Sequence, residues 1–390
     1  MSFISQVLFN PRVSAIVLIW LVFWYRGIID NLLLKLAPIP GWVPALFLIC
    51  FCVIIFNKKK HAGRINTAEL LIFLLFLVVI PSAVTGAKLA SFSVISLFLS
   101  VFVTMSWGRF KSFNLKDKQW ICNFALLTST LSIIMFLYFV FVERPTLGVS
   151  EIRPGFGYAI DRGVLLRLVG FTSDPNFYCL GLMLPFLICI KERAIKNRKL
   201  ILFVMIISFI LTMSRSGAII MILGLVLLFF TDIKRFSSLL LYSVIFSFFT
   251  MAAIAIYGGS LLVAENAELD RGFITGILSR FNLVENIVKG YSFELFGNGI
   301  GKSKELIGYH SHNTYFDFLF ECGVIPFIIF MSYVILMLRQ LFKNLNPLSI
   351  FAILIFVSIF SVSLPFNPII YLIPLVCLRM KYVEETKNAH

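Results

Sequence analysis

The sequence predicts an all-α polytopic membrane protein, and three observations carry that prediction. Of its 390 residues, 59% are hydrophobic and only 14% are charged, with a mean hydropathy of +0.96. Soluble globular domains do not tolerate that balance. Apolar runs of spanning or near-spanning length recur about twelve times. Short basic clusters separate them, as topology signals do.

The predicted spans, in chain order, are 12–34, 41–57, 66–86, 89–107, 120–142, 176–190, 199–214, 216–230, 236–258, 313–338, 347–366 and 368–379. The first lacks a small-residue cleavage site and leads into further spans, so an uncleaved first helix is expected rather than a signal peptide. Runs 199–214 and 216–230 would fuse into one helix, but Ser214-Arg215-Ser216-Gly217 breaks them. A hairpin with Arg215 at its tip is the expected result.

Net charge is +15, from 34 basic and 19 acidic residues. Its distribution excludes a nucleic-acid partner, because the clusters fall between apolar runs. Asn57 to Arg64, segment 108–119, Lys191 to Lys199 and Lys234-Arg235 alternate onto one side. The positive-inside rule makes that side cytoplasmic, with both termini on it and an even number of helices. Two longer loops, from Glu143 to about Pro175 and from Gly259 to His312, are then external. Together they hold Arg144, Arg153, Arg162, Arg167, Arg271, Arg280, Lys289, Lys302 and Lys304, which need anionic partners or local carboxylates. The seven cysteines (50, 52, 122, 179, 189, 322 and 377) fall in or beside apolar runs without zinc spacing. Buried free thiols are expected.

The densest chemistry lies in His310-Ser311-His312-Asn313-Thr314-Tyr315-Phe316-Asp317, running on through Glu321, Gly323 and Pro326. If Asn313 caps a helix, Asn313, Asp317 and Glu321 share one stripe at i, i+4, i+8. The carboxylates would then sit about 6 and 12 Å deeper in the membrane than the cap. Ionisable groups at depth mark polar cavities or paths; the plain alternative is a capped helix with interfacial histidines.

Three arginines stand in structured surroundings. Arg167 precedes Gly170-Phe171-Thr172-Ser173-Asp174-Pro175-Asn176, where Asp-Pro-Asn predicts a turn into a helix. Arg215 occupies the hairpin tip, and Arg280 lies between Ser279 and Phe281. A guanidinium fork grips phosphate bidentately and keeps its charge; the competing role for each is snorkelling or a local ion pair. Gly297-Asn298-Gly299-Ile300-Gly301-Lys302 follows no βαβ strand, so it is not a P-loop or Rossmann loop. A backbone nest or tight turn beneath the His310 region is the remaining expectation. Of four histidines, His310 and His312 lie on the external side, where a near-neutral imidazole can serve as a general base. No residue cluster has metal-site spacing, which favours a metal-free mechanism without a cofactor.

These landmarks together resemble the bacterial O-antigen polymerase and O-antigen ligase superfamily, and more closely its polymerase (Wzy-type) branch. The likeness is carried by Arg167…Gly170-Phe171…Asp174-Pro175-Asn176, Ser214-Arg215-Ser216-Gly217, Ser279-Arg280-Phe281, Phe296-Gly297-Asn298-Gly299-Ile300-Gly301 and His312-Asn313…Glu321-Cys322-Gly323. It covers roughly 160–330; the first five helices match only in hydropathy. The resemblance implies a GT-C-like inner-membrane glycosyltransferase with a periplasmic active site. Three regions follow: N-terminal helices 1–142, a catalytic module 143–338 with both long loops, and C-terminal helices with a cytoplasmic tail, 339–390.

By similarity, Arg215 and Arg280 would hold the pyrophosphate of an undecaprenyl-pyrophosphate-linked oligosaccharide, with Arg167 assisting. His312 would activate the acceptor hydroxyl. His310, Asn313, Asp174, Asp317 and Glu321 are candidate supporting residues. Asp317 is not part of the family pattern and rests on its place on the stripe. Donor and acceptor would both be lipid-linked, in contact with membrane lipid, and a chain-length regulator protein is a further expected partner. Two alternatives share the chemistry of the donor: a ligase that transfers the glycan to lipid A core, and a lipid-linked sugar transporter. The transporter would call for inverted repeats and midplane ionisable residues.

Overall fold

The computed structural model describes residues 66–86, 94–95, 97–98, 113–143, 151–153, 157–161, 165–172, 174–212, 214–232, 294–303, 313–359, 367–380 and 382. The chain there is mostly helical. In order come α1 (Thr67–Val84), α2 (Leu115–Tyr138, continued by a π-helical turn Phe139–Glu143), β1 (Glu151–Arg153), β2 (Gly157–Asp161) and β3 (Leu165–Gly170). Then follow α3 (Pro175–Lys191), α4 (Arg198–Leu211), α5 (Arg215–Asp232), α6 (Thr314–Cys322), α7 (Val324–Lys343), α8 (Pro347–Ser358) and α9 (Pro368–Arg379). Among the described residues three helices are long and apolar enough to cross a membrane: Thr67–Val84, Leu115–Val142 and Val324–Lys343. Segments 12–34, 41–57, 236–258 and nearly all of 89–107 lie outside the described residues.

Most of the described helices begin on an Asn or Asp, for a physical reason. The first backbone N–H groups of a helix have no internal partner, and an apolar bundle offers no water to satisfy them. Asn66 and Glu69 make a capping box on α1, the Asn66 N–H donating to Glu69 Oε2 at 2.9 Å. Asn114 and Asp117 repeat it on α2. Asp174, Asn346 and Asn367 cap α3, α8 and α9, each followed by a proline whose missing N–H costs nothing at the first helical position.

Helices α8 and α9 are buried on nearly every side and form the centre. Aromatic contacts fix α7 against them: Tyr333 lies 5.9 Å from Phe356 and 6.0 Å from Tyr371 between ring centroids, and its hydroxyl donates to Ile370 O at 3.2 Å. The outward faces of α1, α2 and α4 carry exposed Leu70, Phe73, Leu77, Leu127, Leu131, Ile134, Phe203 and Ile210. A surface of that kind suits lipid rather than water.

The two ends of the bundle differ. At one end Lys118 of α2 pairs with Glu192, which closes α3, and the Tyr382 hydroxyl donates to the same carboxylate at 2.7 Å. Gln119 meets the backbone of Lys196, and Lys191 Nζ donates to Thr231 Oγ1 at 3.4 Å. At the other end lie the β-strands and the α4–α5 hairpin tip. The all-α expectation is corrected in the first long loop, which carries an antiparallel sheet in the order β1-β2-β3, with Ala159 opposite Arg167. Its strands run only 3 to 6 residues, too short for alternation to stand out in a charged loop.

One predicted span is corrected. Segment 313–338 is not a single crossing: Gly323, with φ of +96°, turns the chain so that α6 and α7 pack antiparallel. Phe318, five residues before the elbow, stacks on Phe330, seven residues after it, at 4.7 Å. Glu321 therefore sits at the elbow, with Asn313 about 12 Å away along α6. The backbone of Gly323 lies in a region only glycine enters without strain, and a Cβ there would meet Leu295 O at 2.5 Å. Gly323→Ala is expected to cost at least about 1–3 kcal/mol, read as a lowered melting temperature in detergent; an unchanged melting temperature would contradict this account of the elbow.

Candidate active site

Where β3 ends, the chain must turn into α3 beside the α4–α5 hairpin. Gly170 makes that turn with φ of +61°, and a Cβ there would lie 2.6 Å from Cδ2 of the Tyr178 ring. Thr172 Oγ1 then donates to Val169 O at 2.7 Å and Asp174 O at 2.9 Å. Asp174 Oδ1 accepts the Asn176 N–H at 2.7 Å, so the local work of Asp174 is to cap α3. Arg167, half-buried on β3, donates from Nε to Thr212 O at 3.0 Å. Thr212 closes α4, where a cation satisfies an orphan carbonyl at the negative end of the helix.

The hairpin break falls where the sequence predicted it, with α4 ending at Leu211 and α5 opening on Arg215. Ser214 Oγ accepts the Gly217 N–H at 2.9 Å and so caps α5. Gly217 lets α5 approach α3 closely, since a Cβ there would sit 2.8 Å from Cys179 Cβ. Cys179 Sγ and Thr212 Oγ1 lie 3.1 Å apart. Asn176 was quoted in the motif but given no role, and it is the hub of the corner. Its Oδ1 accepts from Ser214 Oγ at 2.5 Å and from Ser216 Oγ at 2.6 Å. Sequence offered one signal for it: a polar residue in the first turn of an otherwise apolar helix, with a Ser-x-Ser tip elsewhere. The corner thus joins Arg167, Asp174 and the backbone of Arg215, residues distant in the chain. Arg280, His310 and His312 lie outside the described residues.

A second polar cluster surrounds the α6–α7 elbow. Asn313 caps α6, its Oδ1 accepting from Tyr315 N at 3.0 Å and Phe316 N at 3.3 Å. Asp317 and Glu321 follow one and two turns later, both buried. Breaking a helix inside a bundle orphans carbonyls on one side and N–H groups on the other. The glycine-rich loop answers both. Asn298 N and Gly299 N donate to Phe320 O and Glu321 O at 3.1 and 3.0 Å. Val324 N and Ile325 N donate to Glu294 O and Leu295 O at 3.1 and 3.2 Å. Ser82 of α1 joins them, donating to Phe296 O at 2.5 Å and Cys322 O at 3.1 Å.

The glycines are required by this close approach: a Cβ on Gly297 would lie 2.5 Å from the Cys322 carbonyl carbon. The glycine-rich segment makes a tight turn, and the group its amides face is the protein's own carboxyl. Ser303 Oγ donates to Glu321 Oε1, and the amides of Gly301 and Ser303 approach the same carboxylate. Glu321 is therefore an anchor for the loop as well as a member of the stripe. Chemically, the corner holds a fixed guanidinium beside a hydroxyl network closed on Asn176, and the elbow holds buried carboxyl groups. No protein-family model and no curated protein matches the chain, so the likeness to polymerases and ligases stands on the motifs alone.

Proposed function

We propose that the protein is an O-antigen or related surface-polysaccharide polymerase in the bacterial inner membrane. It joins undecaprenyl-pyrophosphate-linked oligosaccharide repeats at the periplasmic face, as an inverting, metal-independent glycosyltransferase. One observation carries this reading: Arg167 and the Arg215 turn converge at the loop end of an apolar bundle, while the lysine-rich turns gather at the other end. A diphosphate headgroup matches the planar fork of an arginine at such a face.

In this mechanism Arg215 and Arg280 grip the pyrophosphate, with Arg167 fixing the adjoining helix end. Their charge stabilises the diphosphate as its bond to the anomeric carbon breaks. His312 takes the proton of the acceptor hydroxyl, which attacks the opposite face and inverts the centre. His310, Asn313, Asp317 and Glu321 shape the acceptor side. Two lipid-anchored substrates meeting at one interface supply proximity.

The test is the purified protein in nanodiscs with a polyprenyl-pyrophosphate-linked repeat as both donor and acceptor. A ladder of lengthened glycans is expected. His312→Ala should abolish it without loss of folding. A ladder that persists in that variant would remove His312 as the base. Transfer only to lipid A core would make the protein a ligase, and transport without a new glycosidic bond would end the transferase reading.

A further inference from the structure

We infer that Asn176 is a positioning residue that fixes Arg215 by bridging the two serines on either side of it. This deepens the reading above and rests on it for the role of Arg215. The bridge itself is independent of that role.

The tip packs on the first turns of α3 through Gly217 and Cys179, and directional bonds there set its orientation. Asn176 stands in the first turn of α3, which the Asp174 cap and Pro175 hold rigid. Its side-chain carbonyl has two lone pairs, and two hydroxyls take them, at 2.5 Å from Ser214 and 2.6 Å from Ser216. Ser214 spends its hydrogen on Asn176 and receives the Gly217 N–H on its oxygen at 2.9 Å. One acceptor therefore orders the cap of α5 and the residues before and after Arg215. Serine hydroxyls alone cannot do this, because each rotates freely without a fixed acceptor. Thr212 Oγ1, which accepts the Ser214 N–H at 3.3 Å, ties the same turn back to α4 and to the carbonyl that Arg167 holds. The linkage runs from β3 through the hairpin tip to α3.

The experiment compares Asn176→Ala, Ser216→Ala, the double variant and Ser216→Thr in the full-length protein, with two readouts. The first is hydrogen exchange at the Gly217 amide, which donates to Ser214 Oγ. Asn176→Ala should speed exchange there about tenfold while the rest of α5 keeps its protection. The second is kcat/KM for a polyprenyl-pyrophosphate-linked repeat. Asn176→Ala should lose on the order of 10- to 100-fold, the scale of a small misplacement of a catalytic group. The double variant should be little worse than Asn176→Ala, because both changes break one network, and Ser216→Thr, which keeps the hydroxyl, should stay near wild type. Unchanged exchange in Asn176→Ala overturns the bridge whatever the activity does. Faster exchange with full activity overturns the positioning role. A wild-type protein that never forms glycosidic bonds overturns the polymerase reading, while the exchange data still decide the bridge. Should Asn176→Ala fail to fold, Ser216→Ala removes one arm and must show the same exchange pattern in weaker form.

Discussion

Arg215→Lys is expected to lose at least about 100-fold in polymerisation rate while the protein stays folded. Lysine keeps the charge, so a role limited to attracting an anion would survive the change. What it cannot keep is the planar fork, which presents two parallel N–H donors to two oxygens of one diphosphate. Losing a single preorganised donor at a developing anion typically costs about 10²–10³ in rate. Folding should be spared because Arg215 opens α5 after the Ser214 cap, and the cap bond runs from Gly217 N to Ser214 Oγ, not through Arg215. The measurement is the initial rate of ladder formation beside the melting temperature in the same detergent. A rate within a few-fold of wild type would remove Arg215 from the diphosphate site.

The same corner shows which parts of the structure the sequence could announce. The break at Ser214-Arg215-Ser216-Gly217 was legible because a charged residue between two apolar runs has one inexpensive place to go, the membrane face. The turn into α3 was legible from Asp-Pro-Asn, since Pro fixes the first helical position and Asp caps it. Gly323 was misread for an equally physical reason. Hydropathy averages over a window, and 313–338 is apolar throughout whether it crosses once or folds back. The +96° backbone, the close approach of Gly297 to Cys322 and the stacking of Phe318 on Phe330 mark the reversal. The glycine loop was legible as a nest or tight turn but not its partner, because nothing local says that residue 321 returns to meet it. The bridge from Asn176 to the serines joins residues 38 and 40 positions apart, a pairing that no periodicity encodes.

The other end of the bundle should carry the largest single contribution to stability. Lys118→Met is expected to destabilise the protein by about 3–5 kcal/mol, and Lys118→Met with Glu192→Leu should recover most of that loss. Both side chains are buried, and each stands at the wrong end of its helix. Lys118 is in the first turns of α2, where the dipole disfavours a cation, and Glu192 closes α3, where it disfavours an anion. Neither charge is tolerable alone; together they neutralise one another and the two helix ends. Tyr382 completes the site, its hydroxyl bonded to Glu192 and its ring 3.9 Å below the Lys118 ammonium. Removing the lysine leaves a buried carboxylate with one hydroxyl donor beside a helix C-terminus, whereas removing both charges leaves an apolar contact. Thermal unfolding of the four proteins of the cycle gives the coupling directly. At permissive temperature Lys118→Met should turn over like wild type, because α3 holds the pair about 24 Å from the Asn176 corner. Equal destabilisation by the single and double variants would show that the pair contributes packing rather than mutual charge compensation.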